Sequence, residues 1–309
     1  MGMLVDGTLL WDADRTMRAG AYRREPSPLV TVIDADVRRA LGAEPQRFVL
    51  VASASCPWSH ATVIALVLSG LSDAVPVQNA GGPRVEGYGL LPDGPLSGSR
   101  AVRHVHQLYS MTDPAYTGRA TVPLLWDRQR ETMLSNSSAD IILAFDAAGP
   151  GPDLRPEPLS GDIDRLTAEI FDGLANAVYR AGMAERQDEY DLAADRVFAT
   201  LDRLEQRLGD QRFLFGPALT TADIRLFATL VRFDTVYATH FRCTRKRLVE
   251  YPALWRFTRR IYRMPGIRQT VDFDQIRFGY YVNDGRHNPF QIIGQQPDID
   301  WDSTEGLDR

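Results

Sequence analysis

The stretch FVLVASASCPWSHATVIALVLSG, residues 48–70, constrains the fold more than any other part of the chain. Phe48–Ala52 is a continuous apolar run of strand length, as expected for a strand buried on both faces. After three small residues comes Cys-Pro; Val63, Leu66 and Val67 then recur near helical spacing up to Gly70, a glycine suited to end a helix. The pattern predicts strand, short turn and helix over 47–71, with Cys56 at the junction.

Farther along, AVPVQ (74–78) reads as a strand, the glycine- and proline-rich 79–100 as loop, and 101–112 as a helix. YTGRATVPLLWD (116–127) reads as another strand, and SNSSADIILAFDA (135–147) as a helix opening on cap-forming residues. Alternating strands and helices predict a small α/β domain over 47–147, preceded by an extension, 1–46, of mixed polarity. AGPGPDLRPEPLSGD (148–162) has the composition of a linker.

From 163 to 271 the period is helical. Val197, Leu201, Leu204 and Leu208 form an apolar stripe, and YPALWRFTRRIYRMPGI (251–267) makes a last helix broken at Pro265. In LTTADIRLF (219–227), Thr220 and Asp223 have capping-box spacing, which assigns Asp223 a structural role. The remainder, 272–309, is aromatic and aperiodic and is expected to cover a site.

The formal net charge is −5 and the pI about 5.6, so no general attraction to nucleic acid or an anionic membrane is expected. No secretory leader pattern and no run near the roughly 20 apolar residues of a membrane span is present, which predicts a cytoplasmic location. Two cysteines, Cys56 and Cys243, are too few for a disulfide scaffold or a cysteine-based zinc site. His104 and His106 stand two apart on the predicted 101–112 helix and should diverge, so no metal is expected.

Cys56 then carries the chemistry. With Pro57 at the first helical position, its missing N–H costs nothing, while the orphan amides and positive dipole end favour the thiolate. Ser59 stands where a Cys-x-x-Cys enzyme has its resolving thiol. A mixed disulfide on Cys56 must therefore be resolved by an outside thiol, which implies a small-thiol co-substrate. An inert buried cysteine is the alternative for Cys56 and the preferred reading for Cys243.

The ordered set SCPWSHAT, YTGRATVPLLWD, SNSSADII, NAVYRAG, FLFGPALTTADIRLFATLVRFDTVYATHFRC and YPALWRF resembles the glutathionyl-hydroquinone reductases, the xi-class (omega-like) glutathione transferases, over 47–293. The resemblance implies a thioredoxin-like α/β domain followed by an all-α domain, a homodimer, and glutathione as co-substrate. It implies Cys56 as nucleophile, Tyr179 and one of Tyr280 and Tyr281 at the hydroquinone oxygen, and a cis bond before Pro123 with Val122 pairing the thiol's peptide. Arg119, Pro57, Trp58, Tyr88, Ser137 and Ser138 are implied in thiol binding.

Departures stand beside the likeness. Ser137 replaces a family glutamate that holds the γ-glutamyl end, Tyr88 stands for a tryptophan, and Ala61 for a basic residue. One lysine against thirty-four arginines points to a GC-rich genome. Mycothiol, a thiol without a γ-glutamyl group, is therefore the expected alternative to glutathione. The expected activity is removal of a small thiol from quinol-type conjugates or mixed disulfides; conjugation, and a non-catalytic binding protein on the same fold, are the competing readings.

Overall fold

The computed structural model describes residues 2–11, 16–23, 25, 27–29, 33–92, 94–97 and 102–307. The chain forms two compact units that do not follow chain order: Met1–Arg15 with Glu25–Asp153 and Asp274–Ile293, and Thr16–Arg24 with Leu154–Phe273 and Gly294–Arg309.

The first unit opens on a hairpin, β1 (Met3–Val5) with β2 (Thr8–Leu10); the second unit contains the short pair β3 (Met17–Arg18) and β4 (Ala21–Tyr22). Helix α1 (Ala35–Ala43) follows, its first turn capped by the Asp34 side chain, which accepts from Val37 N at 2.8 Å. Within the region expected to be an aperiodic extension, α1 exists because Val37 and Leu41, one turn apart, are buried in a core.

The sheet has the order β7-β6-β5-β8-β9, from β5 (Phe48–Ala52), β6 (Val77–Gly81), β7 (Gly89–Leu90), β8 (Leu124–Asp127) and β9 (Thr132–Ser135). β5 runs parallel to β6, with Leu50 opposite Val77, and antiparallel to β8, with Leu50 opposite Leu125. Its apolar run splits between two cores, as a strand's alternation requires. Phe48, Leu50 and Ala52 pack with residues of α1, α2 (Pro57–Leu68) and α4 (Ser138–Ala148); Val49 and Val51 pack with α3 (Val105–Thr112).

The structure departs from the sequence reading at several boundaries. The second strand begins at Val77, and only Leu124–Asp127 of 116–127 is strand. No sequence period marks β9: its hairpin depends on Asp127, whose carboxylate accepts from Gln129 N (2.9 Å) and Arg130 N (3.1 Å). Arg47 also grips that carboxylate, Nη2 to Oδ2 at 2.6 Å. Burial pushes the Asp127 carboxyl upward, but the Arg47 contact and the two amides outweigh it and hold the carboxyl below its ordinary range.

Helix α3 starts at Val105, because His104 is an extended N-cap residue (φ −134°, ψ 149°). The expected divergence of His104 and His106 is therefore corrected: their rings lie 14° from parallel with centroids 5.5 Å apart. The segment 148–162 is folded onto α2 at its start. A Cβ on Gly149 would lie 2.1 Å from the Ser69 carbonyl oxygen, and one on Gly151 2.1 Å from that of Leu68.

The second unit is helical: α5 (Ser160–Ile170), α6 (Ala177–Gly182), α7 (Gln187–Leu208), α8 (Thr221–Leu230) and α9 (Pro252–Tyr262), with one-turn π segments at Phe171–Ala175 and Phe233–Tyr237. Val197, Leu201, Leu204 and Leu208 are buried along α7, as the spacing predicts. Glu205 of α7 accepts from the first amides of α9, Ala253 N (2.8 Å) and Leu254 N (2.7 Å), a carboxylate at a helix's positive end. Residues 273–281, expected to be aperiodic, form α10 (Phe273–Tyr281). Among the described residues no helix is long and apolar enough to cross a membrane.

Candidate functional site

Cys56 is the N-cap of α2, in extended backbone (φ −85°, ψ 119°) with Pro57 at the first helical position. β5 ends at Ala52, and the turn closes when Cys56 N donates to the Ser53 carbonyl at 3.0 Å. At Cys56 Sγ, the Ser59 amide donates at 3.5 Å, and the thiol faces the Val122 carbonyl oxygen at 3.5 Å. The helix end thus points an amide dipole at the sulfur, while the Val122 carbonyl accepts from the thiol. Cys56 is 6 % exposed and shares its cluster with Val122, packed against Trp58 and Tyr88.

Ser59, in the place of a second thiol, is fully buried, and its Oγ has no hydrogen-bond partner. Cys243 is buried in the helical unit, where desolvation pushes its thiol up to about 12. Of the two cysteines, Cys56 is the one at a helix N-cap.

The Val122–Pro123 bond is cis. Arg119, three residues earlier, is half-buried, and its carbonyl accepts from Tyr116 Oη at 3.1 Å. Ser137 is the N-cap of α4 and its Oγ accepts from Asp140 N at 3.3 Å; Ser138 is the first residue of that helix and half-buried. The Ser137 hydroxyl is therefore engaged in capping, the role its residue type favours.

Tyr280 and Tyr281, on α10, are buried and belong to the same compact unit as Cys56. The helix reaches this unit at Gly279, where a Cβ would lie 2.2 Å from Ser55 Cβ, next to the cysteine. Gly279→Ala is expected to force α10 off the Cys56 turn, lowering turnover about tenfold or more and costing about 1–3 kcal/mol of stability; equal kinetics would contradict this packing role. Tyr179 lies in the helical unit, its ring in an aromatic group with Tyr22 (6.2 Å), Tyr237 (6.2 Å) and Phe241 (5.2 Å).

Two residues at this site were not singled out from the sequence. Arg84 donates from Nη2 to Ser55 Oγ at 3.0 Å and lies over the Tyr88 ring at 4.1 Å, while its Nε is buried with no hydrogen-bond partner. Asn283 clasps the loop to α10: it accepts from Arg84 N (2.6 Å) and donates to Gly82 O (3.3 Å) and Gly279 O (3.1 Å). The only signal in the sequence was an arginine inside a glycine- and proline-rich loop.

Residues 187–260 match the family pattern described as glutathione S-transferase, C-terminal domain. The chain is 41 % identical to the glutathionyl-hydroquinone reductase YqjG of Escherichia coli over 100 % of this chain and 99 % of that one. The glutathione-bound structure of YqjG superposes with a TM-score of 0.81 at 42 % identity, over 85 % of this chain and 88 % of that one. The Xi class glutathione transferase of Natrialba magadii superposes with a TM-score of 0.87 at 35 % identity, over 100 % of this chain and 97 % of that one. A thioredoxin-like sheet unit, a helical glutathione transferase domain and full-length relatives at this identity place the chain: it belongs to the family of glutathionyl-hydroquinone reductases and Xi-class glutathione transferases.

Proposed function

We propose that the protein is a thiol-dependent reductase that removes glutathione, or another small thiol, from quinol-type thioethers. The observation that carries this reading is a lone cysteine at a helix N-cap with a serine where the resolving thiol would stand. The reading is supported by YqjG being a glutathionyl-hydroquinone reductase whose structure holds glutathione.

The chemistry follows from one nucleophile. The Cys56 thiolate attacks the conjugate's sulfur; an S–S bond forms, the aryl C–S bond breaks, and its electron pair passes to the ring carbon, which takes a proton. A second thiol, as thiolate, attacks the Cys56 mixed disulfide at the small thiol's sulfur and frees the cysteine. In sum, two small thiols are oxidised to their disulfide and one aryl carbon is reduced. Tyr179, Tyr280 and Tyr281 are assigned to holding the quinol oxygens and moving the proton. Pro57, Trp58, Tyr88, Arg119, Val122, Pro123, Ser137 and Ser138 are assigned to the thiol. Conjugation is disfavoured, because a cysteine at this position attacks sulfur itself, whereas activating a bound thiol needs only a hydroxyl donor.

Arg84 belongs to the same reading. Its buried Nε lacks an acceptor, so an anionic group of the conjugate or thiol is its proposed partner. A charge-assisted hydrogen bond is worth roughly 1.5–3 kcal/mol, so Arg84→Met should lower kcat/KM by about tenfold or more, with a modest fall in melting temperature from the lost Ser55 and Tyr88 contacts. Unchanged kinetics would remove Arg84 from the site.

Mycothiol is kept as a second co-substrate because Ser137, in the place of a carboxylate, caps α4. Parallel turnover with reduced glutathione and reduced mycothiol decides between them. A homodimer in the reducing cytoplasm completes the proposal, and light scattering of the purified protein tests the dimer.

A further inference from the structure

We propose that Glu86, His104 and His106 form a binding site for one divalent cation of the zinc class, separate from the thiol chemistry. The ligand atoms of the three side chains all lie within 4.8 Å of one another, with His104 Nδ1 and Glu86 Oε2 at 3.5 Å.

The backbone explains the meeting. Leu90 N donates to Arg103 O (2.8 Å) and Val105 N to Tyr88 O (2.9 Å), so the loop ending in β7 is laid along the approach to α3. Gly87, with φ +73°, turns the chain between Glu86 and that ladder. Extended backbone at His104 brings its ring beside that of His106 before helical geometry can part them.

The donor set and its state fit a cation. Two imidazoles and one carboxylate suit a borderline divalent metal rather than Mg2+ or Ca2+, and three protein ligands leave water to complete the sphere. His106 Nε2 is buried and has no hydrogen-bond partner, an orphan that bound metal would satisfy, directly or by fixing the ring's tautomer. Imidazoles sharing an ion at about 2.0–2.1 Å have centroids about 5 Å apart, close to the 5.5 Å between these rings. Binding needs the ligand atoms drawn in to about 3.3 Å, and the exposed Glu86 side chain is free to supply that movement. Gln107 N, which the His104 side chain caps, keeps the His104 carbonyl at 3.1 Å when the ring turns to metal. Metal would thereby tie the Arg84–Tyr88 loop to α3.

The experiment is calorimetric titration of zinc sulfate into the full-length Cys56→Ser protein, which removes the reactive thiol as a competing ligand. One saturable site is expected, weakened at least tenfold in both Glu86→Gln and His106→Gln, with magnesium giving no saturable heat. Glu86 is exposed, so its variant separates ligand loss from misfolding. No saturable zinc binding, equal affinity in either variant, or equal binding of magnesium would overturn the site.

Discussion

Cys56→Ser should abolish reduction of a glutathionylated hydroquinone, lowering kcat by at least about 10³-fold while leaving the fold intact. The side chains are nearly isosteric, and serine is a favoured N-cap, so α2 keeps its start. What is lost is the attacking sulfur, and no neighbour replaces it. Ser59 is a buried hydroxyl without a partner, and Cys243 is buried with its thiol held up at about 12, far from thiolate at neutral pH. Cys243→Ser should accordingly leave turnover unchanged. Residual activity within tenfold of wild type in Cys56→Ser would transfer the chemistry to another group.

The largest stability effect is expected at Asp223. Its carboxylate accepts from Thr220 N (2.7 Å), Thr220 Oγ1 (2.7 Å) and Leu214 N (2.8 Å), closing the capping box of α8 with no exposed surface. Asp223→Ala removes the cap and strands buried donors, a loss of about 3 kcal/mol or more, readable in urea unfolding. Burial also pushes the carboxyl up to about 6. The folded state then binds a proton that the unfolded state, near the ordinary 3.8, does not. Wild type should therefore gain stability relative to Asp223→Asn as pH falls from about 6 towards 4. A difference between the two proteins that is flat with pH would show that Asp223 does not titrate in that window.

Local patterns were legible in the sequence and long-range ones were not. Phe48–Ala52, Cys56-Pro57 and the Thr220/Asp223 box specify their own backbone within a few residues, and each forms as its spacing predicts. Arg84 meets Ser55 from 29 residues away and Asn283 from 199, and nothing periodic marks such contacts. In α10 the buried Ile276, Gly279 and Tyr280 do stand at helical spacing, but only one of the three is aliphatic, and a glycine on the stripe hides its period. The helix expected over 101–112 begins only at Val105, because His104 keeps extended backbone as its N-cap. Ser137, implied in thiol binding, also caps α4, a role its residue type allows.

In the proposed reaction Cys56 itself takes the small thiol from the conjugate. The direct measurement is a single turnover of wild-type protein with glutathionyl-menadiol and no free thiol, followed by intact mass and peptide mapping. One equivalent of menadiol should be released and one glutathionyl group should appear on Cys56, discharged when reduced thiol is added. Menadiol released only in the presence of free thiol, with Cys56 unmodified, would contradict it.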